Sequence, residues 1–186
     1  MQIRFASISI AIMLLAGCQQ RRPAPAVAQL QPVPVSLQRQ TLDDVMAVCA
    51  PPIGWTAEPL KKNERRRHQI WLSPSGKTAY GVIYFPLPLP VGPNTVFPRF
   101  MKAMERSEGD AILLNKETDP NLPGIRFVAE GGLYTMRGNL IVSGWNGWAI
   151  YAGSRRNEDV NEVEMQLAEE AREHTSVGLP ETASRE

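Results

Sequence analysis

The sequence predicts an α+β fold in which a mainly antiparallel sheet of about six or seven strands packs with two or three helices. Short strand-like segments bounded by turn residues occur both before and after a central amphipathic segment, and a second amphipathic segment ends the domain. Strands joined by tight turns run in opposite directions, so this order of hairpins, helix, hairpins and helix indicates antiparallel pairing.

Composition sets limits on function. The chain has 186 residues, of which 43% are hydrophobic and 21% charged, a balance typical of one globular core. Lys and Arg number 20 against 19 Asp and Glu, so the basic excess that nucleic-acid binding requires is missing and no nucleic acid is expected. Two Cys and two His offer little for a metal site or a disulfide framework, and no metal is expected.

The N-terminus carries an export signal. Arg4 precedes an apolar run over residues 5–15, which is the length of a secretory signal and too short for a spanning helix. The following Leu15-Ala16-Gly17-Cys18 closely resembles the bacterial lipobox. This resemblance implies that residues 1–17 are removed and that Cys18 carries a diacylglycerol thioether and usually an acylated amine, with palmitate as a typical chain. An ordinary signal peptide or an uncleaved anchor are the alternatives.

This covalent lipid on Cys18 is the only attached group that we expect, and it makes the membrane the first partner, since acyl chains hold a domain on a bilayer. Gln19, where retention in the inner membrane would favour Asp, implies the periplasmic face of the outer membrane if the organism is Gram-negative. Residues 18–40 are rich in Pro, Gln and Ala and contain no acidic residue after Cys18, which indicates an extended tether.

A single domain is expected over residues 41–178, followed by a disordered tail at 179–186. Thr41 caps a predicted helix over 42–49, which ends before Pro51-Pro52. Residues 55–60 are a candidate strand, and residues 70–72 and 78–85 are strands of a hairpin that turns at 73–76.

The second half of the domain alternates between helix and strand. A helix is expected from Asn94 or Thr95 to about Gly109, with Pro98 in its first turn. Its apolar stripe is formed by Val96, Phe97, Phe100, Met101 and Met104. Five strand candidates follow at 111–115, 124–129, 133–137, 140–144 and 148–153, with turns at 138–139 and, of type I′, at 146–147.

The last element is a helix. Asp159 and Glu162 have the spacing of a capping box, and Gly178 is a stop signal. Its predicted buried face is formed by Val160, Val163, Leu167 and Ala171, with His174 at the helix C-terminus.

This order of elements resembles the PsbP-like and DcrB-like domains of photosystem extrinsic subunits and bacterial lipoproteins. The Pro51-Pro52-Ile53-Gly54-Trp55 stretch is similar to the Pro-x-Gly-Trp that often opens such domains. The resemblance implies a sheet sandwiched by helices and a non-enzymatic accessory or assembly role. It carries no site residues.

Two apparent chemical motifs are better explained structurally. Ser75-Gly76-Lys77-Thr78 ends like a phosphate-binding loop, but Trp71 stands where that loop needs Gly, and a strand follows. Cys49 is predicted to be a buried inert thiol on the apolar face of the first helix, with intermolecular pairing as the alternative. His68 is interpreted as a solvated strand residue. Without a nucleophile and base pair, the chain is not expected to be an enzyme.

Basic and aromatic side chains are the candidates for partner binding, and they are Lys61, Lys62, Arg65, Arg66, Arg67, Trp71 and Tyr84. The basic cluster suits anionic headgroups, lipopolysaccharide or an acidic protein, or else it is a solvated strand end that discourages edge pairing. Six aromatic positions tend to lie opposite the aliphatic strand positions: Trp71, Tyr80, Tyr84, Tyr134, Trp145 and Tyr151. Either a helix covers each face of the sheet, or one aromatic face stays open to bind.

The leading hypothesis is therefore a lipid-anchored envelope protein that binds another envelope protein or a cell-wall component without catalysis. The alternative is a carrier of a small apolar ligand held between sheet and helices. A hydrolase that uses scattered carboxylates is the third hypothesis, and no residue spacing supports it.

Overall fold

The computed structural model describes residues 34–63, 66–108, 111–119, 124–131, 134–156 and 159–178. The predicted signal peptide, the lipid site at Cys18, the tether up to residue 33 and the tail at 179–186 lie outside the described residues, as does Arg65. None of the helices in the described part of the chain has the length and apolar character that crossing a membrane needs.

Eleven strands and two α-helices are defined in the described residues. The strands are β1 (Gln40–Leu42), β2 (Ala47–Cys49), β3 (Thr56–Ala57), β4 (Lys61–Lys62), β5 (Arg67–Leu72), β6 (Thr78–Pro86), β7 (Ile112–Asp119), β8 (Gly124–Gly131), β9 (Tyr134–Ser143), β10 (Asn146–Arg155) and β11 (Ser176–Val177). The helices are α1 (Pro93–Glu108) and α2 (Glu162–Glu173), and a short 3-10 turn at Asp43–Val45 lies between β1 and β2.

The main sheet has eight strands in the order β3-β5-β6-β10-β9-β8-β7, with β4 also paired to β5. All of its pairings are antiparallel. A smaller sheet, β1-β2-β11, is also antiparallel. The expected α+β class with a mainly antiparallel sheet is confirmed.

Helices lie on both faces of the main sheet, as expected, although α1 covers only part of its face. On one face α2 packs on β6 and β10, and the buried core there includes Trp71, Tyr80 and Trp148. On the other face α1 packs on β8 and β9, around Phe97 and Phe127. Side chains alternate along each strand, so the two cores share the same strands.

The helix predicted over 42–49 is wrong. Residues 40–49 instead form the β1–β2 hairpin, whose turn contains Met46 in the left-handed region with φ 51°. The apolar positions fit a helical spacing, but residues 47–50 are all buried, and a helix on a surface cannot bury four consecutive side chains. A short strand between two others can, and β2 lies between β1 and β11.

The hairpin turns were predicted with mixed success. The turn at 73–76 is confirmed, and the Ser73 N–H donates to the Thr78 carbonyl at 2.9 Å. The turn at 138–139 is wrong, because β9 runs without a break through Gly138. The turn expected at 146–147 lies two residues earlier, at Gly144 and Trp145, where Gly144 has φ 58°.

Helix α1 is confirmed, and Val96, Phe97 and Met104 of the predicted stripe are buried. Pro98 lies in its second turn and not in the first, so α1 lacks one interior N–H donor. The 55–60 strand is present only as β3 at Thr56–Ala57.

Helix α2 starts later and faces differently than expected. Asn161 is its N-cap and accepts from the Glu164 N–H at 3.2 Å, which replaces the predicted Asp159 cap. The predicted buried face is right at Ala171, whereas Val160 and Val163 are exposed, and the other buried positions are Glu164 and Ala168. The small side chains of Ala168 and Ala171 let the helix approach the sheet closely, and a valine in place of either alanine would prevent this approach. His174 is the C-cap, as expected at the helix C-terminus, and β11 follows before Gly178.

Candidate functional site

A pocket of about 1060 Å³ opens between the main sheet and α1. Helix α1 packs chiefly over β8 and β9, while the pocket extends over β5, β6 and β10, where the crossover from β6 to α1 forms a second wall. The volume is at the upper end of what small-molecule sites in proteins enclose. This pocket is the candidate functional site.

The floor of the pocket consists of three aromatic rings, each lying over a glycine on the neighbouring strand. Tyr151 lies over Gly81, Phe127 over Gly138 and Phe85 over Gly147, and each pair is directly cross-strand. A Cβ atom on any of the three glycines would come within 2.2–2.5 Å of the ring. The glycines therefore allow the rings to lie flat on the sheet and keep the pocket deep.

The walls of the pocket are apolar. Helix α1 contributes Val96, Phe100 and Met104, and the crossover contributes Leu87 and Leu89. Leu89 is 61% exposed, an unusual position for a leucine unless something covers it. The crossover contains Pro88 and Pro90 and is flanked by Pro86 and Pro93, which restrict its backbone and hold this wall in an extended form.

One polar pair lies on the floor. His68 Nε2 and the Tyr151 hydroxyl are hydrogen-bonded at 2.6 Å. Burial, together with the positive charges of Arg66 and Lys61, lowers the pKa of His68 to about 4, against an opposing effect of Glu58. His68 is thus a neutral, half-buried side chain near neutral pH. The interpretation of His68 as a solvated residue is wrong, because the Tyr151 ring crosses β6 over Gly81 to reach it.

Three arginines line the entrance, and all three are exposed: Arg66, Arg99 and Arg106. Arg66 lies in the connection between β4 and β5, where its N–H donates to Asn63 Oδ1 at 2.9 Å. Arg99 and Arg106 are seven residues apart on α1, which is about two helical turns, so they share one face of the helix. The described lining contains no Asp or Glu.

The structure divides the residues that the sequence singled out for partner binding. Lys61, Lys62 and Arg67 lie together beside acidic groups, with Lys61 paired to Glu58 at 2.8 Å and Lys62 to Asp44 at 3.6 Å. Arg67 is 3.9 Å from the same Asp44 carboxylate and also lies over the Tyr84 ring. Only Arg66 of this set lines the pocket.

Trp71 and Tyr84 lie on the opposite face of the sheet from the pocket. Trp71 stacks on Tyr80 and is 2% exposed, while Tyr84 is 7% exposed and donates to Asn146 Oδ1 at 2.9 Å. Both rings belong to the core under α2, which leaves little of either for contact with a partner.

Reasoning from the sequence missed most of the pocket. Phe85, Phe127, Arg99 and Arg106 were not singled out, and Tyr151 was considered only as one aromatic among six. The available signal was the set of glycines inside strand-like segments, which can mark a close approach by a neighbouring side chain. The pairing register that brings each ring onto its glycine is visible only in the fold.

The described residues contain no group of three or more His, Cys, Asp or Glu side chains that could hold a metal ion. Cys49 is fully buried on β2, not on a helix, and burial raises the pKa of its thiol to about 12. A thiol with so high a pKa is not a nucleophile near neutral pH, which agrees with the predicted buried and inert thiol.

No protein-family model matches the chain, and no curated protein is similar to it in sequence. Among solved structures, the fold is similar to that of cyanobacterial PsbP (CyanoP) from Synechocystis sp. PCC 6803 in solution. The TM-score is 0.56 and the sequence identity 15%, and the alignment covers 83% of this chain and 99% of that one. The likeness shows that the domain has a PsbP-like fold, as the sequence led us to expect.

Proposed function

We propose that this protein is a lipid-anchored accessory component of a cell envelope that works by binding a small apolar ligand, without catalysing a reaction. The apolar pocket of about 1060 Å³ beside α1 is the observation that carries the proposal. The lipobox at Leu15–Cys18 supports the anchor and the envelope location. This choice favours the carrier alternative over a module that binds only another protein.

The chemistry of the lining supports binding over catalysis. Catalysis of acyl or glycosyl transfer uses a carboxylate, a thiolate or a base with a pKa near the working pH. The described lining offers no carboxylate or thiol, and its one imidazole, His68, has a lowered pKa of about 4. Aromatic and aliphatic side chains with a few polar groups are what binding sites for small molecules usually present.

A role toward another envelope protein or a cell-wall component is the second candidate, and the exposed ammonium groups of Lys61 and Lys62 favour it. Their side chains are 63% and 62% exposed, so both can reach an acidic partner. The two roles are compatible, since these lysines belong to β4 and the pocket lies over the α1 face of the sheet.

The proposal is tested by filling the pocket with a larger side chain. Ala103 is an exposed α1 residue that lines the pocket, whereas Lys102 is exposed on the same helix and does not line it. The full-length protein, in phosphatidylcholine nanodiscs, is exposed to a long-chain alcohol bearing a photoreactive diazirine, and the labelled peptides are mapped by mass spectrometry. We expect labels on β6, α1 and β10.

Ala103→Trp should reduce pocket labelling at least fivefold, while Lys102→Trp should leave it unchanged, since only the first substitution occupies the pocket. Thermal unfolding of both variants controls for folding. Labelling that avoids the pocket in the wild-type protein, or that responds equally to the two tryptophans, would contradict the proposal.

A further inference from the structure

We propose that the ligand of this pocket is a single-chain amphiphile with an anionic head, held with its chain on the aromatic floor and its head at Arg66, Arg99 and Arg106. The inference rests on the proposed function, and it adds the chemical class of the ligand. Its basis is the combination of an apolar interior with an entrance that carries only positive charge among the described lining residues.

Among the described residues, the three arginines differ from Arg67, Arg137, Arg156 and Arg172 in having no carboxylate within ion-pair distance. Arg67, Arg137, Arg156 and Arg172 each lie within 3.9 Å of a carboxylate oxygen. In contrast, none of Arg66, Arg99 and Arg106 forms an ion pair with a described acidic residue. Guanidinium groups present several donors in a planar fork that suits carboxylate and phosphate oxygens.

The positions of the three arginines reinforce one another. Arg99 and Arg106 belong to one face of α1, and Ala103 lies between them on that face. Arg66 comes from the β4–β5 connection and lines the same pocket. Three positive charges around one opening create a positive electrostatic potential there, and an anion that binds at the opening reduces it. A neutral or cationic head would leave that potential uncompensated.

The interior suits a hydrocarbon chain. The floor is formed by the rings of Phe85, Phe127 and Tyr151, and the adjoining walls include Phe100 and Leu89. Burial of each methylene contributes about 0.8 kcal/mol, so a long chain gains far more from this surface than a small polar solute does. Chain and head thus bind to different parts of one pocket.

The experiment compares two probes that differ only in the head. Full-length protein in phosphatidylcholine nanodiscs is labelled with a photoreactive C16 fatty acid and with the matching C16 alcohol, and half-saturating concentrations are measured for each. Nanodiscs without net charge keep charge substitutions from altering the membrane surface. We expect the acid to need roughly a tenfold lower concentration than the alcohol, because several arginines contribute.

Charge reversal then tests the arginines one at a time. Arg99→Glu and Arg106→Glu should each raise the half-saturating concentration of the acid by roughly fivefold and leave that of the alcohol unchanged. Lys102→Glu makes the same change of charge on α1 outside the pocket lining, and it should affect neither probe. Unlabelled palmitate and lysophosphatidic acid, added as competitors, distinguish a carboxylate head from a phosphate head, and displacement by either supports the proposal.

Two results would overturn this inference and leave the proposed function intact. One is equal labelling of the pocket by acid and alcohol, and the other is an equal effect of Lys102→Glu and Arg99→Glu on the acid. Failure of both probes to label the pocket would instead overturn the proposed function as well, so the two failures are distinguishable.

Discussion

At the scale of single residues, His68 shows how burial changes the character of an ionisable group. In the sequence it stands among arginines and lysines, which suggests water on all sides. In the fold it is half-buried and bonded to Tyr151, and its pKa is lowered to about 4 by burial first, then by Arg66 and Lys61, against Glu58. Charging it on acidification therefore opposes folding.

A pH-dependent loss of stability follows from this pKa. The unfolded chain binds the His68 proton near pH 6.5 and the folded chain only near pH 4, so stability falls as pH decreases through that window. His68→Gln, which cannot be protonated, should abolish this contribution. Between pH 7 and pH 5 the wild-type protein should lose about 2 kcal/mol more of its free energy of unfolding than the variant does.

Urea unfolding at a series of pH values measures this difference. His174 supplies the control, since it is the only other imidazole in the chain and lies at the end of α2, away from the pocket. His174→Gln should retain the acid loss that His68→Gln removes. Equal acid sensitivity of the wild-type and His68→Gln proteins would restore the view that His68 is solvated.

At the scale of elements, one buried carboxylate joins α2 to the β5–β6 hairpin. Glu164 is 8% exposed, and its oxygens accept from the Ser75 hydroxyl at 2.6 Å and the Ser75 N–H at 3.3 Å. Burial alone would raise the pKa of Glu164, but the hydrogen bonds from Ser75 lower it overall. The surroundings of the carboxylate therefore stabilise its ionised form.

Glu164→Gln should therefore destabilise the fold, because the amide nitrogen cannot accept the bond that one carboxylate oxygen accepts. We expect a loss of about 1–2 kcal/mol in the free energy of unfolding at neutral pH. Glu162→Gln, at an exposed position in the same helix, should change stability by less than about 0.5 kcal/mol.

The difference between these two variants should shrink in acid. A lowered pKa means that the stabilisation by Glu164 is present above its ordinary titration range and is lost as pH falls below it. Chemical unfolding at pH 7 and pH 3 measures both effects. Equal stability of the two variants at pH 7 would show that the contact between Glu164 and the hairpin turn contributes nothing.

The elements that could be predicted were those whose local sequence pattern is strong enough to determine their structure without contacts from other elements. Helix α1 was predicted because its apolar stripe, Val96 to Met104, extends over more than two turns, and the 73–76 turn because its residues favour a reversal at that place. The first hairpin was not, since strands of three residues carry too little pattern to be distinguished from a helix. The prediction of a turn at 138–139 failed because Gly138 is needed for a different reason: the ring of Phe127, on the neighbouring strand, lies over it.

At the scale of the whole molecule, the proposed function places the pocket at a membrane through a lipid on Cys18, so Cys18 is the residue to test. The mature wild-type protein should begin at Cys18 and carry the mass of attached acyl chains, and it should sediment with membranes. Cys18→Ala should lose the acyl mass and membrane attachment through lipid. Cys49→Ala, which removes the other thiol of the chain, should retain both properties.

Mass spectrometry of the N-terminal peptide is the decisive measurement, since it separates a lipid from an uncleaved signal segment that also binds membranes. An unmodified Cys18 sulfur in the mature protein would contradict the anchor. Acyl chains bury enough methylene groups to hold the domain on a bilayer, at about 0.8 kcal/mol for each group.

The α+β class, helix α1, the 73–76 turn and the expected lipobox all follow from local patterns of sequence, which do not depend on the rest of the fold. The pocket does not, because it arises where residues from β5, β6, β8, β10 and α1 meet. Its depth depends on Gly81, Gly138 and Gly147 facing aromatic rings in register, and a shift of one residue would move those rings to the other face. Strand pairing, a property of the folded chain, decided the site.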